Sequence, residues 1–552
     1  MKLSHSFILS TIIAFVAILF LYNVSTHTQT KLMPAGEPMS IGSADDADAR
    51  YNYELMRLRD PATGRIPDHI RELELAFART IPNDAMFASQ NFKTAGATWN
   101  QRGPYNVGGR TRALAIDVTD ENIILAGTNS GGLWRSTNGG TSWTQTTDIN
   151  QLQNVSCIAQ DIRPGKTNTW YYGSGEGTGA SASAGGAYFL GNGLYKSTNG
   201  GITWSPLTST NSNTPHTFEK FFDVVWNVAC NPADTVNNTV YAATIGVIYK
   251  SIDGGTTWTI AKGGGSTYSY YADVLVTPKK GVVYATLDSQ GPDKGIWRSE
   301  DGVTFTNIIP AGFPTKFNRI IIGNAPSDEN QVYFLGSTPG FGTPDTNFQG
   351  SVEWNSLWKY TYVSGDGTGS GGIWEDRSAN LPKTGRPFNT FNAQGGYDLV
   401  VKVKPDDANT VFIGGTNLFR STDGFSTSGN TTYIGGYELG AKLPVVNMYK
   451  NHHPDQHQLL FYNSDPKKML CGNDGGVFKT TDNTADTISW TSLNNGYVTS
   501  MFYTCAIDHA TSGNNVIVAG AQDNGSWFTN NANPLTPWVT PRGGDGSYCA
   551  IA

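Results

Sequence analysis

The stretch Leu133-Trp-Arg-Ser-Thr-Asn-Gly-Gly-Thr-Ser-Trp143 is written twice more in the chain, as Leu194-Tyr-Lys-Ser-Thr-Asn-Gly-Gly-Ile-Thr-Trp204 and as Ile248-Tyr-Lys-Ser-Ile-Asp-Gly-Gly-Thr-Thr-Trp258. Each copy reads aromatic, Arg or Lys, Ser, any residue, Asn or Asp, any residue, Gly, any residue, Ser or Thr, Trp. Decayed copies follow at Trp297-Arg-Ser-Glu-Asp301, Phe419-Arg-Ser-Thr-Asp423 and Phe478-Lys-Thr-Thr-Asp482, and an eroded one spans Trp358 to Trp374. The pattern needs no ligand to explain it. An Asx side chain bonds backbone N–H groups just ahead of it, Gly supplies the positive φ of a tight turn, and the closing Trp buries its ring between neighbouring sheets. Ser136, Asn138, Gly140 and Trp143 are therefore read as structural, as are Ser197, Asn199, Gly201 and Trp204, and Ser251, Asp253, Gly255 and Trp258.

Working outward, each copy is preceded by two more strand-like runs, which makes a four-stranded unit. The second strands read Ile124–Thr128, Thr169–Tyr172, Val240–Ala243, Val282–Ala285, Val332–Leu335, Val411–Gly414, Met469–Cys471 and Val516–Ala519. Innermost strands are expected to begin near Arg112, Val155, Asp223, Asp273, Arg319, Asp398, His457 and Tyr503, with a ninth at Tyr548–Ile551. The fold class is thus all-β, a large multi-bladed β-propeller of about eight four-stranded blades plus the start of a ninth. An open propeller leaves an uncovered apolar face, so the expectation is a fragment, with Thr98–Arg102 supplying the last strand of the closing blade.

Composition agrees. The 552 residues include 64 Gly, 25 Tyr, 25 Phe and 14 Trp with only 15% charged residues, which suits short aromatic strands joined by Gly-rich turns. A formal charge of −7 provides no excess of cations for a phosphate backbone, so nucleic acid is excluded as an expected partner. The five cysteines, Cys157, Cys230, Cys471, Cys505 and Cys549, show no metal-binding spacing and define no disulfide framework. Nothing calls for a cofactor.

The organisation expected is a signal peptide or anchor over residues 1–26, a polar helical lead-in over 27–96 and the propeller over 97–552. Lys2 and the apolar run Phe7–Tyr22 read as an export signal, so the chain is expected outside the cytoplasm, touching a membrane only through an uncleaved N-terminal anchor. In the lead-in, Ile70, Leu73 and Phe77 recur at helical spacing after Pro67 and Asp68. Arg65-Ile66-Pro67 resembles a sialidase signature in which the arginine binds a substrate carboxylate, but its position before a helix favours a helix start.

With the repeats laid out, the region from Trp99 to Ala552 resembles the Asp-box propellers of sortilin-type receptors and of xyloglucan-hydrolysing glycoside hydrolases. It is similar also to large secreted propeller proteins of gliding bacteria. Sortilin-type domains have ten blades in one ring and the xyloglucanases pair two seven-bladed rings, and nine blade starts fit either plan. In the xyloglucanases, Thr-Asp-x-Gly-Gly of the first blade carries the general base; the matching stretch here is Thr128-Asn129-Ser130-Gly131-Gly132, and an amide cannot accept the proton. Asp474, in Gly472-Asn-Asp-Gly-Gly476, resembles the partner acid with one residue fewer before the glycines.

The remaining candidates are polar residues where blades begin or second strands end. Arg110, Arg112, Glu176, Asp223, Tyr397 and Asp398 are candidate ligand-binding residues; Asp474, Asp523 and Asp545 are candidate catalytic carboxylates. His453, Asp455 and His457 stand at i, i+2 and i+4, the spacing that shares one face of a strand, and form a candidate metal site. The sequence favours a sortilin-like binding module for an extracellular protein or glycan, because Asn129 occupies the base position. The alternative is a xyloglucanase-type hydrolase acting on extracellular polysaccharide.

Overall fold

The computed structural model arranges Thr111 to Arg542 as eight antiparallel sheets, seven of four strands and one of five. It describes residues 55–56, 58–81, 101–148, 151–177, 189–212, 217–265, 268–346, 351–383, 390–440 and 447–551. The apolar run Phe7–Tyr22 lies outside these residues, and no helix among those described is long and apolar enough to cross a membrane. The lead-in contains the expected helix, Ile70–Thr80, although Leu73 and Phe77 are exposed. Arg65 is exposed in the turn before it.

Innermost strands are Thr111–Ile116, Cys157–Gln160, Val225–Cys230, Ala272–Val276, Ile320–Ala325, Val400–Lys404, Gln456–Phe461 and Phe502–Ile507. In most sheets the next three strands follow outward in chain order; the fifth sheet departs by inserting a hairpin, so that Val352–Tyr362 pairs with three neighbours. The second strands, such as Val240–Thr244 and Val283–Leu287, are buried along their whole length. That is why they read as unbroken apolar runs: both faces are covered by adjacent sheets.

Seven sheets close into a ring. The innermost strand of the first, Thr111–Ile116, packs on one side against Cys157–Gln160 and on the other against Gln456–Phe461 of the seventh. Seven apolar clusters fill the seven interfaces, and the closing one joins Leu114, Ile124 and Trp143 to Tyr462, Leu470 and Tyr497. The eighth sheet, Phe502 to Arg542, stands outside the ring. Of the stretch expected to close the ring, residues 98–100 lie outside the described residues. The seventh sheet takes its outermost strand from Trp490–Ser492, and Arg102 donates to the carbonyls of Asn515 and Asn531 on the eighth sheet. Trp538 adds two contacts there, its indole N–H to Arg102 O and its backbone N–H to Asn106 Oδ1. Tyr548–Ile551 forms no strand; Cys549 N–H donates to Thr504 Oγ1 across the eighth sheet.

The repeated turn has the bonds its chemistry demands. Gly140 N–H donates to Ser136 Oγ at 2.9 Å and Ser142 N–H to Asn138 Oδ1 at 2.9 Å, with Gly140 at φ 87°. The same bonds recur at Ser197 and Asn199 and at Ser251 and Asp253. Trp143 spans the closing interface by donating to Leu493 O of the seventh sheet, and Trp204 reaches Thr146 Oγ1 of the first. Trp258 is only half-buried and bonds within its own turn.

Truncating Trp143 therefore opens the ring at its closure. Trp143→Ala is expected to lower unfolding free energy by about 3 kcal/mol or more in denaturant titration, and Trp258→Ala by clearly less.

Candidate functional site

Where the innermost strands of the first, sixth and seventh sheets begin, a polar network gathers at one mouth of the ring axis. Arg110 and Arg112 precede or open the first strand, Tyr397 and Asp398 lie just before Val400–Lys404, and His457 sits in Gln456–Phe461. Asp474 follows Met469–Asn473, and Asp523 arrives from the eighth sheet in the turn between Ile517–Ala521 and Gly525–Thr529. The geometry is dense. Arg110 donates to Asp474 Oδ2 at 2.8 Å and to Asp523 Oδ2 at 2.7 Å, while His457 Nε2 meets Asp474 Oδ1 at 2.5 Å and its Nδ1 faces Arg112 at 2.7 Å. Tyr397 donates its hydroxyl to Glu176 at 2.7 Å and lies under both guanidinium groups, 5.3 Å from Arg110 and 4.6 Å from Arg112.

Charge states follow from these contacts. Burial, reinforced by the positive Arg112, pushes His457 down to about 3, so its ring is neutral, accepting from Arg112 at Nδ1 and donating from Nε2. Burial alone would raise Asp474, but Arg110 and then His457 outweigh it and hold that carboxyl well below the usual range. Its neighbours go the other way. Burial and then the charge of Asp474 push Asp398 well up; burial and then Asp398, Asp474 and Asp523 do so for Asp455. Asp523 is raised by burial, against Arg110, with Asp474 and Asp545 repelling its charge.

Five of the six candidate ligand-binding residues come together here. Asp223 does not: its carboxylate accepts from Ser212 Oγ at 2.5 Å and from the N–H groups of Glu219 and Lys220, so it fastens its own loop. The three candidate carboxylates also meet, since Asp545 Oδ1 accepts the backbone N–H of Asp523 at 2.9 Å. The metal triad expected on one strand face is not formed. The strand begins only at Gln456, Asp455 is at φ 65°, and both ring nitrogens of His453 face backbone carbonyls, Pro454 O and Asp523 O. Asp455 instead joins Asp474 and Asp523, with one oxygen from each inside a 4.8 Å triangle. Sequence reading could not assemble that group, because its members come from three separate turns; Gln394, whose Nε2 lies 3.3 Å from Asp455 Oδ1, carried no signal at all. Asp455 and Asp523 are both non-glycine residues with positive φ, a backbone cost that concentrates at functional sites.

Below this mouth the ring encloses an axial cavity whose polar lining includes Arg112, Glu176, Asp273, Arg319, Lys402 and the neutral His457. Asn129 is 1% exposed, and neither atom of its amide has a hydrogen-bond partner.

No family model matches the chain. Among curated proteins it is similar to a xyloglucanase of Hypocrea jecorina, 28% identical over 256 residues, covering 40% of this chain and 29% of that one. A xyloglucanase of Paenibacillus sp is 26% identical over 303 residues, covering 48% and 27%. A xyloglucanase of Acetivibrio thermocellus is 27% identical over 195 residues, covering 31% and 23%. The chain thus spans less than a third of the length of the curated relatives it matches. Among solved structures, the GH74 xyloglucanase from Xanthomonas campestris superposes with a TM-score of 0.55 at 14% identity, over 81% of this chain and 62% of that one. An ancestral GH74 enzyme gives 0.51 at 15%, over 79% and 54%. The chain has the β-propeller fold that these enzymes share.

Two stability predictions follow from the network. Asp474→Ala leaves Arg110 buried without its doubly bonded partner and is expected to cost about 3 kcal/mol or more, read by denaturant unfolding at pH 7. Asp398 has the opposite sign. Its folded form retains a proton that the unfolded chain releases above about pH 4, so stability falls as pH rises through that range. Asp398→Asn is expected to raise the melting temperature at neutral pH, and the gain should vanish below about pH 4 in a thermal-melt series.

Proposed function

We propose that this chain belongs to an extracellular glycoside hydrolase of the xyloglucanase kind, acting on polysaccharide where the ring mouth faces the eighth sheet. The observation that carries the proposal is the carboxyl pair at that lip. Hydrolysis of a glycosidic bond needs one carboxyl that holds a proton and one that is ionised. Asp523 is raised by burial and by the charges of Asp474 and Asp545, yet its side chain keeps 20% exposure, so it can pass a proton to a leaving oxygen. Asp545 is exposed and its Oδ1 accepts the backbone N–H of Asp523, which sets a second carboxyl at the lip. Asp474 is 1% exposed with both oxygens engaged, so its role is to orient Arg110 rather than to touch substrate. Similarity to three curated xyloglucanases supports the same reading.

A second reading, glycan binding without cleavage, is favoured by Asn129. It stands where the resemblance places the general base, and its amide cannot take a proton. Export and an extracellular polysaccharide partner belong to both readings.

Reducing-sugar release from xyloglucan separates them. The hydrolase reading expects release that falls as pH rises past the titration of Asp523, and a loss of about 100-fold or more in Asp523→Asn with glycan affinity kept. Retention of the wild-type chain on xyloglucan with no release would replace the hydrolase by the binding module.

A further inference from the structure

We infer that Arg112 and Arg319, which line the axial cavity from the first and fifth sheets, form a site for one carboxylate, either free or borne by an acidic sugar. The cavity is a space of about 100 Å³, well beyond what a single water needs. Both guanidinium groups are fixed around Tyr397. Arg112 lies 4.6 Å from the centre of its ring, and Arg319 donates from Nη1 to Tyr397 O at 2.8 Å and to Gly396 O at 3.2 Å.

The second observation is what these two groups leave unused. Arg112 is 9% exposed, and its Nη1 meets His457 Nδ1 at 2.7 Å. Its Nε has no hydrogen-bond partner and stands 3.6 Å from Glu176, beyond bonding range. Arg319 spends Nη1 on the two carbonyls, and among the described residues no acceptor meets its Nε or Nη2. Planar guanidinium donors of this kind grip the two oxygens of a carboxylate.

Charge runs the same way. Among the described residues Glu176 is the one carboxylate in ion-pair range of either guanidinium, and it also takes the Tyr397 hydroxyl. Asp273, elsewhere in the lining, is met by neutral donors: the amide of Asn227 and the backbone N–H groups of Val274 and Ile322. Arg112, Arg319 and Lys402 thus stand against at most two carboxylates in the lining. Burial, and next the positive Arg112, push Arg319 down to about 10, which leaves it a cation at neutral pH. Buried charges in native proteins are paired, and one singly charged group completes the balance. The indole of Trp226, 5.7 Å from the Arg319 guanidinium, supplies an apolar wall for the carbon that bears the carboxylate.

Arg112, Glu176 and His457 belong both to the mouth network and to this lining, so an acidic sugar at the mouth can present its carboxylate to the pair. Binding does not rest on the hydrolysis proposed above and is read without cleavage.

The test is calorimetric titration of the full chain with sodium acetate and, separately, with sodium glucuronate, at ionic strength held constant by a HEPES salt and with glucose as the neutral control. The expected result is saturable uptake of one carboxylate per chain and none of glucose. Uptake should weaken at least tenfold in Arg319→Gln and less in Arg319→Lys, which keeps the charge but loses the fork and carries the comparison if the Gln variant does not fold. Acetate should also raise the melting temperature of the parent and leave that of Arg319→Gln unmoved. Glucuronate binding tighter than acetate assigns the site to an acidic sugar; glucuronate binding no tighter assigns it to a free carboxylate. Absence of saturable uptake of either by the folded parent, glucose taken up as well as glucuronate, or uptake unchanged in the folded Arg319 variants overturns the site.

Discussion

A twisted four-stranded sheet with apolar groups on both faces can bury them only by being sandwiched, and everything else in this molecule depends on how that requirement is met. Each sheet leans on the next, so the arrangement has an end problem until the last meets the first. Here the seventh meets the first through Tyr462, Leu470 and Tyr497 against Leu114, Ile124 and Trp143. Because the ring closes at seven, the eighth sheet is left outside and has to pack by other means, and the backbone around Arg102 to Asn106 provides them.

Closure also creates the polar mouth. Innermost strands converge on the axis, so whatever precedes or follows them is brought together regardless of its distance along the chain. Arg110 and Asp474, 364 residues apart, share two hydrogen-bonding geometries in a nearly dry setting. In such surroundings Arg110, with Arg112 committed to Glu176 and His457, cannot neutralise four carboxyls, and the result is a divided population: Asp474 ionised beside Arg110, and Asp398, Asp455 and Asp523 favouring their protons. That division is what the proposed proton donor draws upon.

The similarity to xyloglucanases and the substitution at Asn129 pull in different directions, and the geometry explains how both can hold. A fold carries its function in the site rather than in the scaffold. The ring is kept by turn bonds and interface tryptophans away from the mouth, so the residue at position 129 does not set the architecture. Asp523 reaches the mouth from the eighth sheet, outside the ring, and in the proposed hydrolase it is the carboxyl that stands in for the one absent at Asn129.

The sequence by itself determined the repeating unit. The turn from Ser136 to Trp143 and its copies state their own hydrogen bonds, and runs such as Val240–Thr244 announce strands covered on both faces, because these features are set by neighbours within a few residues. It also named most of the polar residues at the mouth, since their places at strand starts follow from the repeat. Only the tertiary structure decided where the ring closes, which is a matter of matching the seventh sheet's apolar face to the first. It likewise separated Asp223 from the network, broke the expected alternation at His453, Asp455 and His457, and drew Asp455 to Asp474 and Asp523. Those outcomes depend on positive-φ turns and on contacts between distant segments, for which local residue pattern carries no code.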